Sequence, residues 1–259
     1  MKERSLGFIG GGRIAMILLS ALEKNGALPA QVVVSDMNEA PLKSLKERFP
    51  SIKTIIGGNT EAAGQDLVFV ALHPPTAGDV LKGVANAIRN DAVVVSLMPK
   101  LTTNQISNML GGFVRIVRII PNAPAIIGKG YNPVVYPAGL LPLDKASLAQ
   151  FFSAFGTCPE VAEEKLEAYA VITAMGPTYL WFQLYELEAL ARSFGMTETE
   201  AAEAVRQMAE GTLYTMNAPG LLPSAVMDLV PVKPIGSDEP AILSIYREKL
   251  GGLYAKLKN

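Results

Sequence analysis

The sequence predicts an α/β fold: an N-terminal parallel sheet of the Rossmann type covered by helices, followed by an all-α part. Three observations predict it. Short β-branched runs alternate with helical stretches over the first 160 residues, the pattern of a sheet wrapped by helices. The strongest run, Asp66 to Leu72, is nearly all apolar, as strands buried on both faces are. Beyond about residue 160 strand signals stop and only helical patterns continue. The boundary falls near Thr157–Glu164, dividing the chain into residues 1–160 and 161–259.

Leu6 to Ile9 reads as a first strand and Ile14 to Asn25 as a helix ending near Gly26. Gln31 to Ser35 is a second strand, and Glu39 to Phe49 the next helix. Ile52 to Ile55 is a weak strand ahead of the apolar Asp66–Leu72 run. Ala92 to Met98 and Val114 to Ile120 are two more, with Pro133 to Tyr136 a further candidate. Leu148, Phe151, Phe152 and Phe155 mark one helix face that Gly156 ends. In the second part, Leu166 to Phe194 is helical with a break at Gly176-Pro177, and Gly195 suits a left-handed cap. Thr197 and Glu200 have capping-box spacing ahead of a helix to about Met216. Ala218-Pro219-Gly220 and Val230 to Pro234 are loops, and Ile242 to Lys256 is a last helix.

Composition narrows the function classes. Of 259 residues, 49% are hydrophobic and 18% charged, which excludes a disordered chain. A net charge of −1 lacks the basic footprint of a nucleic-acid binder. One cysteine, Cys158, allows no intramolecular disulfide, and one histidine, His73, leaves little for a Cys/His metal site, so no metal is expected. Met1 to Leu22 superficially resembles a signal peptide, but Arg13 and the three consecutive glycines before it, Gly10 to Gly12, interrupt it. Ala168 to Tyr185 carries no charge over 18 residues, near the ~20 of a membrane span. Gly176-Pro177 breaks that run, so it reads as buried against protein; neither a membrane nor nucleic acid is an expected partner, and the cytoplasm is the expected location.

Gly10-Gly11-Gly12-Arg13-Ile14-Ala15 fits G-x-G-x-x-A between first strand and first helix. Gly10 permits the tight turn, Gly12 lets backbone approach a pyrophosphate, and Ala15 lets the helix pack on the sheet. Outside that context the same cluster is an ordinary glycine-rich turn. Asp36, ending the second strand, can bind the adenine ribose and repel a 2′-phosphate, favouring NAD over NADP; alternatively Asp36 or Asn38 caps the next helix. Leu72-His73-Pro74 follows the fourth strand at the carboxyl edge, where ligands bind in such sheets. His73 there lines a cofactor cleft, shuttles a proton, or is a plain loop residue. Lys100, after the fifth strand, can meet an anionic substrate or donate a proton, or simply be solvated. In Pro121-Asn122-Ala123-Pro124 the prolines stiffen a loop after an apolar strand, and Asn122 both donates and accepts hydrogen bonds.

Gly7-Phe8-Ile9-Gly10-Gly11-Gly12-Arg13-Ile14-Ala15 resembles the opening of the pyrroline-5-carboxylate reductases. Arg115 to Ala125 closely resembles that family's R-x-x-P-N-T-P-A segment, a more specific match than the glycines. Ile172-Thr173-Ala174 and Gly176-Pro177-Thr178-Tyr179 echo its helical segment. The resemblance implies a helical domain interlocking two subunits, hence a homodimer through residues 161–259, and hydride passed from NAD(P)H to the C=N of a small, anionic cyclic imine. It places Asn122 and Pro124 by the nicotinamide.

One departure stands out. The family's substrate-gripping S-P-G-G-T-T has no counterpart; the region reads Asp228 to Ser237, in which Lys233 or Ser237 can replace it as an anion contact, or Lys233 is an exposed loop lysine. The substrate is therefore expected to differ from pyrroline-5-carboxylate. Tyr179 can present its hydroxyl to substrate or fill a helix core. Two other readings stay open: a deazaflavin (F420)-linked NADP oxidoreductase, and a dinucleotide-binding module without catalysis.

Overall fold

A computed structural model of the chain describes residues 4–218 and 220–258. They form two compact units, one of residues 1–175 with 254–259, the other of residues 176–253. Residues 161–175, assigned by sequence to the helical part, thus pack with the sheet.

The first unit alternates β1 (Leu6–Ile9), α1 (Arg13–Lys24), β2 (Val32–Asp36), α2 (Glu39–Arg48) and β3 (Lys53–Ile56). It continues through α3 (Asn59–Ala63), β4 (Leu67–Val70), α4 (Pro74–Val84), β5 (Val93–Ser96), α5 (Thr103–Met109) and β6 (Ile116–Ile119). After β7 (Gly130–Tyr131) and β8 (Val134–Val135) come α6 (Pro142–Phe152), β9 (Gly156–Thr157) and α7 (Leu166–Tyr169). The main sheet has seven strands in the order β3-β2-β1-β4-β5-β6-β8. All its pairings are parallel except β8 on β6. The crossover from β3 to β4 reverses the strand order beside β1, opening a crevice at the carboxyl edge between β1 and β4.

Strand alternation feeds two cores. Leu6, Phe8, Val34, Leu67 and Phe69 pack with α1, α2 and α6 on one face; Ile9, Val33, Val68, Val70 and Val94 pack with α3, α4 and α5 on the other. Phe8 and Phe69 stack at 4.8 Å across the β1–β4 pair. The helices α3 and α5 are too short to show an apolar period, whereas α4 carries one in Ala77, Leu81 and Val84, all buried. Gly7 admits α3: a side chain there would sit 1.8 Å from the Ala62 carbonyl oxygen. Pro74 and Pro75 do not form a loop but start α4, where a missing N–H is harmless.

The break in the Leu166–Phe194 helical stretch begins as a π turn over Ala170–Ala174. The second unit is made of α8 (Pro177–Ser193), α9 (Glu198–Met216), α10 (Pro223–Asp228) and α11 (Glu239–Lys258), whose last turn counts with the first unit. Thr197 and Glu200 form the expected capping box on α9. Among the described residues, no helix is long and apolar enough to cross a membrane.

Candidate active site

Five loops leave the carboxyl edge of the sheet side by side, and they carry the residues singled out from the first 160. The glycine turn follows β1. Gly10 donates from its N–H to the Ser35 carbonyl at 2.8 Å and has φ +104. A Cβ there would lie 2.4 Å from the Ala71 carbonyl oxygen, so the turn is pressed against the chain leaving β4. Gly11 N–H donates to Asp36 Oδ2 at 2.8 Å. Gly12 is the N-cap of α1; it offers no side-chain cap, and the first turn holds no acidic residue. A Cβ on Gly12 would meet nothing within 4 Å, so its side is open. The positive end of α1 is thus left uncompensated beside open space, and this cradle fits the pyrophosphate of a dinucleotide. Arg13 is exposed at the rim and Ile14 half-buried.

Asp36 ends β2 half-buried. Its Oδ2 receives Gly11 N–H and its Oδ1 receives Asn38 N–H, both at 2.8 Å. Of the sequence readings of this corner, the capping one is met by Asn38, which caps α2 by accepting from Ala40 N–H. Met37, Asn38 and Glu39 follow, so the next cation along the chain is Lys43.

Ala71 N–H donates to the Ile9 carbonyl at 2.8 Å, tying the β4 loop to the end of β1. Leu72 is half-buried, and His73 is exposed as the N-cap of α4. The His73 carbonyl accepts from the Thr76 N–H and hydroxyl, both at 3.1 Å. The side chain of Pro74 lies outside the described residues' detail.

Lys100, after β5, is exposed and has φ +73, the one non-glycine in the left-handed region among the described residues. Asn122 follows β6 and is buried. Its Nδ2 donates to the Thr173 carbonyl at 3.2 Å, its Oδ1 accepts from Tyr131 N–H at 3.1 Å, and its own N–H donates to Asn132 Oδ1 at 3.1 Å. Asn122 is therefore a strut that fixes the loop, with one of its two amide donors committed to that task. Pro124 lies in a short turn, Ala123–Ile127, that packs against α1.

A polar cluster behind these loops was not anticipated. Arg118, in β6, is completely buried. Its Nη1 lies 3.0 Å from Glu163 Oε1, and its Nη2 2.8 Å from Glu167 Oε1 and 3.5 Å from the Met98 carbonyl. Glu163 also accepts from Thr103 N–H at 2.7 Å and the Thr103 hydroxyl at 3.0 Å, and Glu167 accepts from Lys100 N–H at 3.2 Å. The available signal was an arginine inside an apolar strand, with two glutamates at i,i+4 after it.

The remaining candidates belong to the second unit. Tyr179, on α8, meets Tyr246 edge-on at 6.2 Å, and burial pushes its phenol pKa up. Lys233 and Ser237 are exposed in one turn before α11, where Gly236 N–H donates to the Lys233 carbonyl at 3.0 Å and Ser237 Oγ lies 3.2 Å from Asp238 Oδ2. Among the described residues no group of three or more His, Cys, Asp or Glu could hold a metal ion.

A cavity of about 590 Å³ lies at the opposite, amino edge of the sheet. Its Arg4 and Arg115 pair with Asp144, and its Arg89 with Asp66 and Asp91. Its arginines are already paired with carboxylates and it has no glycine-rich turn at a helix N-terminus, so the carboxyl edge is the better candidate.

Known proteins carry the same architecture. Residues 5–100 match the family model described as NADP oxidoreductase, coenzyme F420-dependent. The pyrroline-5-carboxylate reductase of Escherichia coli is 27% identical over 229 residues, covering 88% of this chain and 85% of that protein. The structure is similar to that of a pyrroline-5-carboxylate reductase from Coxiella burnetii, with TM-score 0.70, 25% identity, and coverage of 99% of this chain and 95% of that one. A Plasmodium falciparum pyrroline carboxylate reductase with NADP bound shares the fold at TM-score 0.77 and 18% identity, covering 100% and 97% of the two chains. The likeness to this reductase family read from the sequence holds along most of the chain.

Proposed function

We propose that this chain, similar along most of its length to the pyrroline-5-carboxylate reductases, is a nicotinamide-dependent reductase of a small cyclic imine. One observation carries the reading: the uncapped glycine turn after β1 and the P-N-A-P loop after β6, the two segments of strongest family likeness, leave the same carboxyl edge of the sheet and meet through α1, on which the P-N-A-P turn packs. When bound, the nicotinamide supplies the hydride. The backbone at Gly10, Gly11, Gly12 and Arg13, with Ile14 behind it, holds the pyrophosphate, and Asp36 receives the ribose hydroxyls. Leu72, His73 and Pro74 wall the cleft from the β4 side; Asn122 and Pro124 fix its floor. Proximity and orientation do most of the catalytic work, because a protonated imine is already electrophilic. Lys100 faces the substrate's anionic group or returns the proton to its nitrogen.

Asp36, followed by Met37, Asn38 and Glu39, supports NADH over NADPH, since a 2′-phosphate would meet a carboxylate and no nearby cation in the sequence. Tyr179, Lys233 and Ser237 supply the substrate contacts from the helical part, in place of the family's S-P-G-G-T-T, and the substrate differs from pyrroline-5-carboxylate accordingly. A homodimer is supported by the large apolar side chains the helices leave exposed, including Phe182, Tyr185, Tyr214 and Val232. We assign residues 1–160 to cofactor binding, residues 161–259 to dimerisation and substrate, and the cytoplasm as location.

Fluorescence titration with NADH and NADPH, followed by turnover on a panel of cyclic imines, imino acids and ketones, tests the reading. NADH binding and turnover of an imine are expected. Binding of neither nucleotide overturns it; binding without turnover leaves a dinucleotide-binding module; oxidation of a reduced deazaflavin with no imine reduced supports the F420-linked alternative.

A further inference from the structure

We propose that Arg118, acting through Glu163 and Glu167, is a positioning residue that sets Lys100 in its place at the carboxyl edge; the proposal rests on the reductase reading above. The observation is a chain of contacts that ends on a strained residue. Lys100 holds φ +73, a conformation that glycine or asparagine adopts with ease and lysine resists. Its N–H is tied at 3.2 Å to Glu167 Oε1, the same oxygen that Arg118 Nη2 meets at 2.8 Å. At the other end of the loop, Thr103 opens α5 with its N–H and hydroxyl both on Glu163, which Arg118 Nη1 meets at 3.0 Å. One guanidinium thus clamps both ends of the segment from Met98 to Thr103 through two carboxylates. The planar fork of arginine suits this task, and a lysine ammonium does not reproduce it.

Stability alone is a poor account of the cluster. A buried ion triad is commonly no more stable than apolar residues filling the same space. This one also leaves Arg118 Nε buried with no hydrogen-bond partner. Two carboxylates on one guanidinium leave a negative surplus behind Lys100. Backbone strain held in place by its surroundings is characteristic of sites where geometry must be fixed. The consequence is that Lys100 presents its amine from a fixed base, not from a mobile loop, to the anionic group of the substrate.

The test compares variants of the whole 259-residue chain with NADH and the best imine of the panel. Lys100→Met is expected to raise KM for the imine about 10- to 100-fold, the worth of one hydrogen bond to a charged group, with a smaller change in kcat. Glu167→Ala is expected to give the same split, Glu167→Gln to recover most of it by keeping a carbonyl acceptor for Lys100 N–H, and Glu167→Ala/Lys100→Met to be no worse than Lys100→Met alone. Losses that multiply in the double variant, or a Gln variant as impaired as Ala, overturn the proposal. A second measurement is independent of turnover: in Arg118→Lys, amide hydrogen exchange at Lys100 and Thr103 should accelerate while the Gly11 amide, held by Asp36, keeps its rate. Unchanged exchange at Lys100 overturns the positioning role. If the native protein binds NADH yet reduces no imine, the functional reading fails and the exchange result alone decides the clamp.

Discussion

The two compact units differ most in what they bury. In the first, β1, β4, β5 and β6 are buried throughout, and two apolar clusters fill both faces of the sheet. In the second, among described residues 176–253, only Ala201 and Val205 are buried. Yet this unit is rich in Leu, Phe, Tyr and Trp: Trp181, Phe182, Tyr185, Phe194 and Tyr214 are all exposed. Four helices with so little core of their own bury little to set against the entropy of ordering their residues. The first unit buries both faces of its sheet within itself, whereas the second leaves its large apolar side chains exposed, the observation on which the proposed homodimer rests.

The sharpest way to break this comparison is to charge the exposed face. Phe182→Asp with Tyr185→Asp should weaken dimerisation by at least about 100-fold, as loss of central aromatic anchors does, measured by sedimentation equilibrium. A protein that remains dimeric, or a native protein that is already monomeric, defeats the assembly proposed for the second unit. The next effect belongs to the first unit. Gly10→Ala forces a side chain toward the Ala71 carbonyl at a φ of +104, and should cost stability of about 1–3 kcal/mol in denaturant unfolding while abolishing detectable NADH binding. Asp36→Ser should move the NADH to NADPH affinity ratio about tenfold toward NADPH in fluorescence titration, a shift of about 1.4 kcal/mol. An unchanged ratio removes Asp36 from cofactor choice.

The smallest effect tests local against tertiary stability. Thr197→Ala, which removes the side-chain cap of α9, should cost about 1 kcal/mol in thermal unfolding. The capping hydrogen bonds from Thr197 hold the Glu200 carboxyl below its ordinary range. A depressed folded pKa means that the carboxylate's contribution is present above the unfolded carboxylate range and is lost as pH falls through the folded value. Native protein should therefore lose the Glu200 half of the box on acidification while Thr197 Oγ keeps accepting from Glu200 N–H, so the difference between native and Thr197→Ala unfolding midpoints should shrink, without vanishing, below about pH 4.

Legibility in the sequence followed the strength of local signals. The buried strands announced themselves because both their faces are apolar, and β1, β2, β4, β5 and β6 lie where the β-branched runs are. The capping box at Thr197 and the break at Gly176-Pro177 were equally local. The helices α3 and α5 are too short for a periodic pattern, although Thr102 and Gln105 form a capping box on α5, and the apolar face of α4, Ala77, Leu81 and Val84, stands behind two prolines that read equally as a loop. His73-Pro74-Pro75 illustrates the ambiguity: two prolines suit a loop or the first turn of a helix, and only packing on the sheet selects the helix. At the candidate site, the glycine turn and Asp36 were visible as a pattern, whereas Asn122 as a strut depends on Thr173, 51 positions away, together with the nearer Tyr131.

The sequence by itself determined the succession of the main strands, the long helices, the glycine turn, and an apolar excess larger than one sheet requires, because each is written in the spacing of neighbouring residues. Tertiary structure decided which loops share the carboxyl edge, that residues 161–175 pack with the sheet, and that Arg118 gathers Glu163 and Glu167 beneath Lys100. Those facts join residues tens of positions apart, and a desolvated charge finds its partners only when folding has brought them within hydrogen-bond reach.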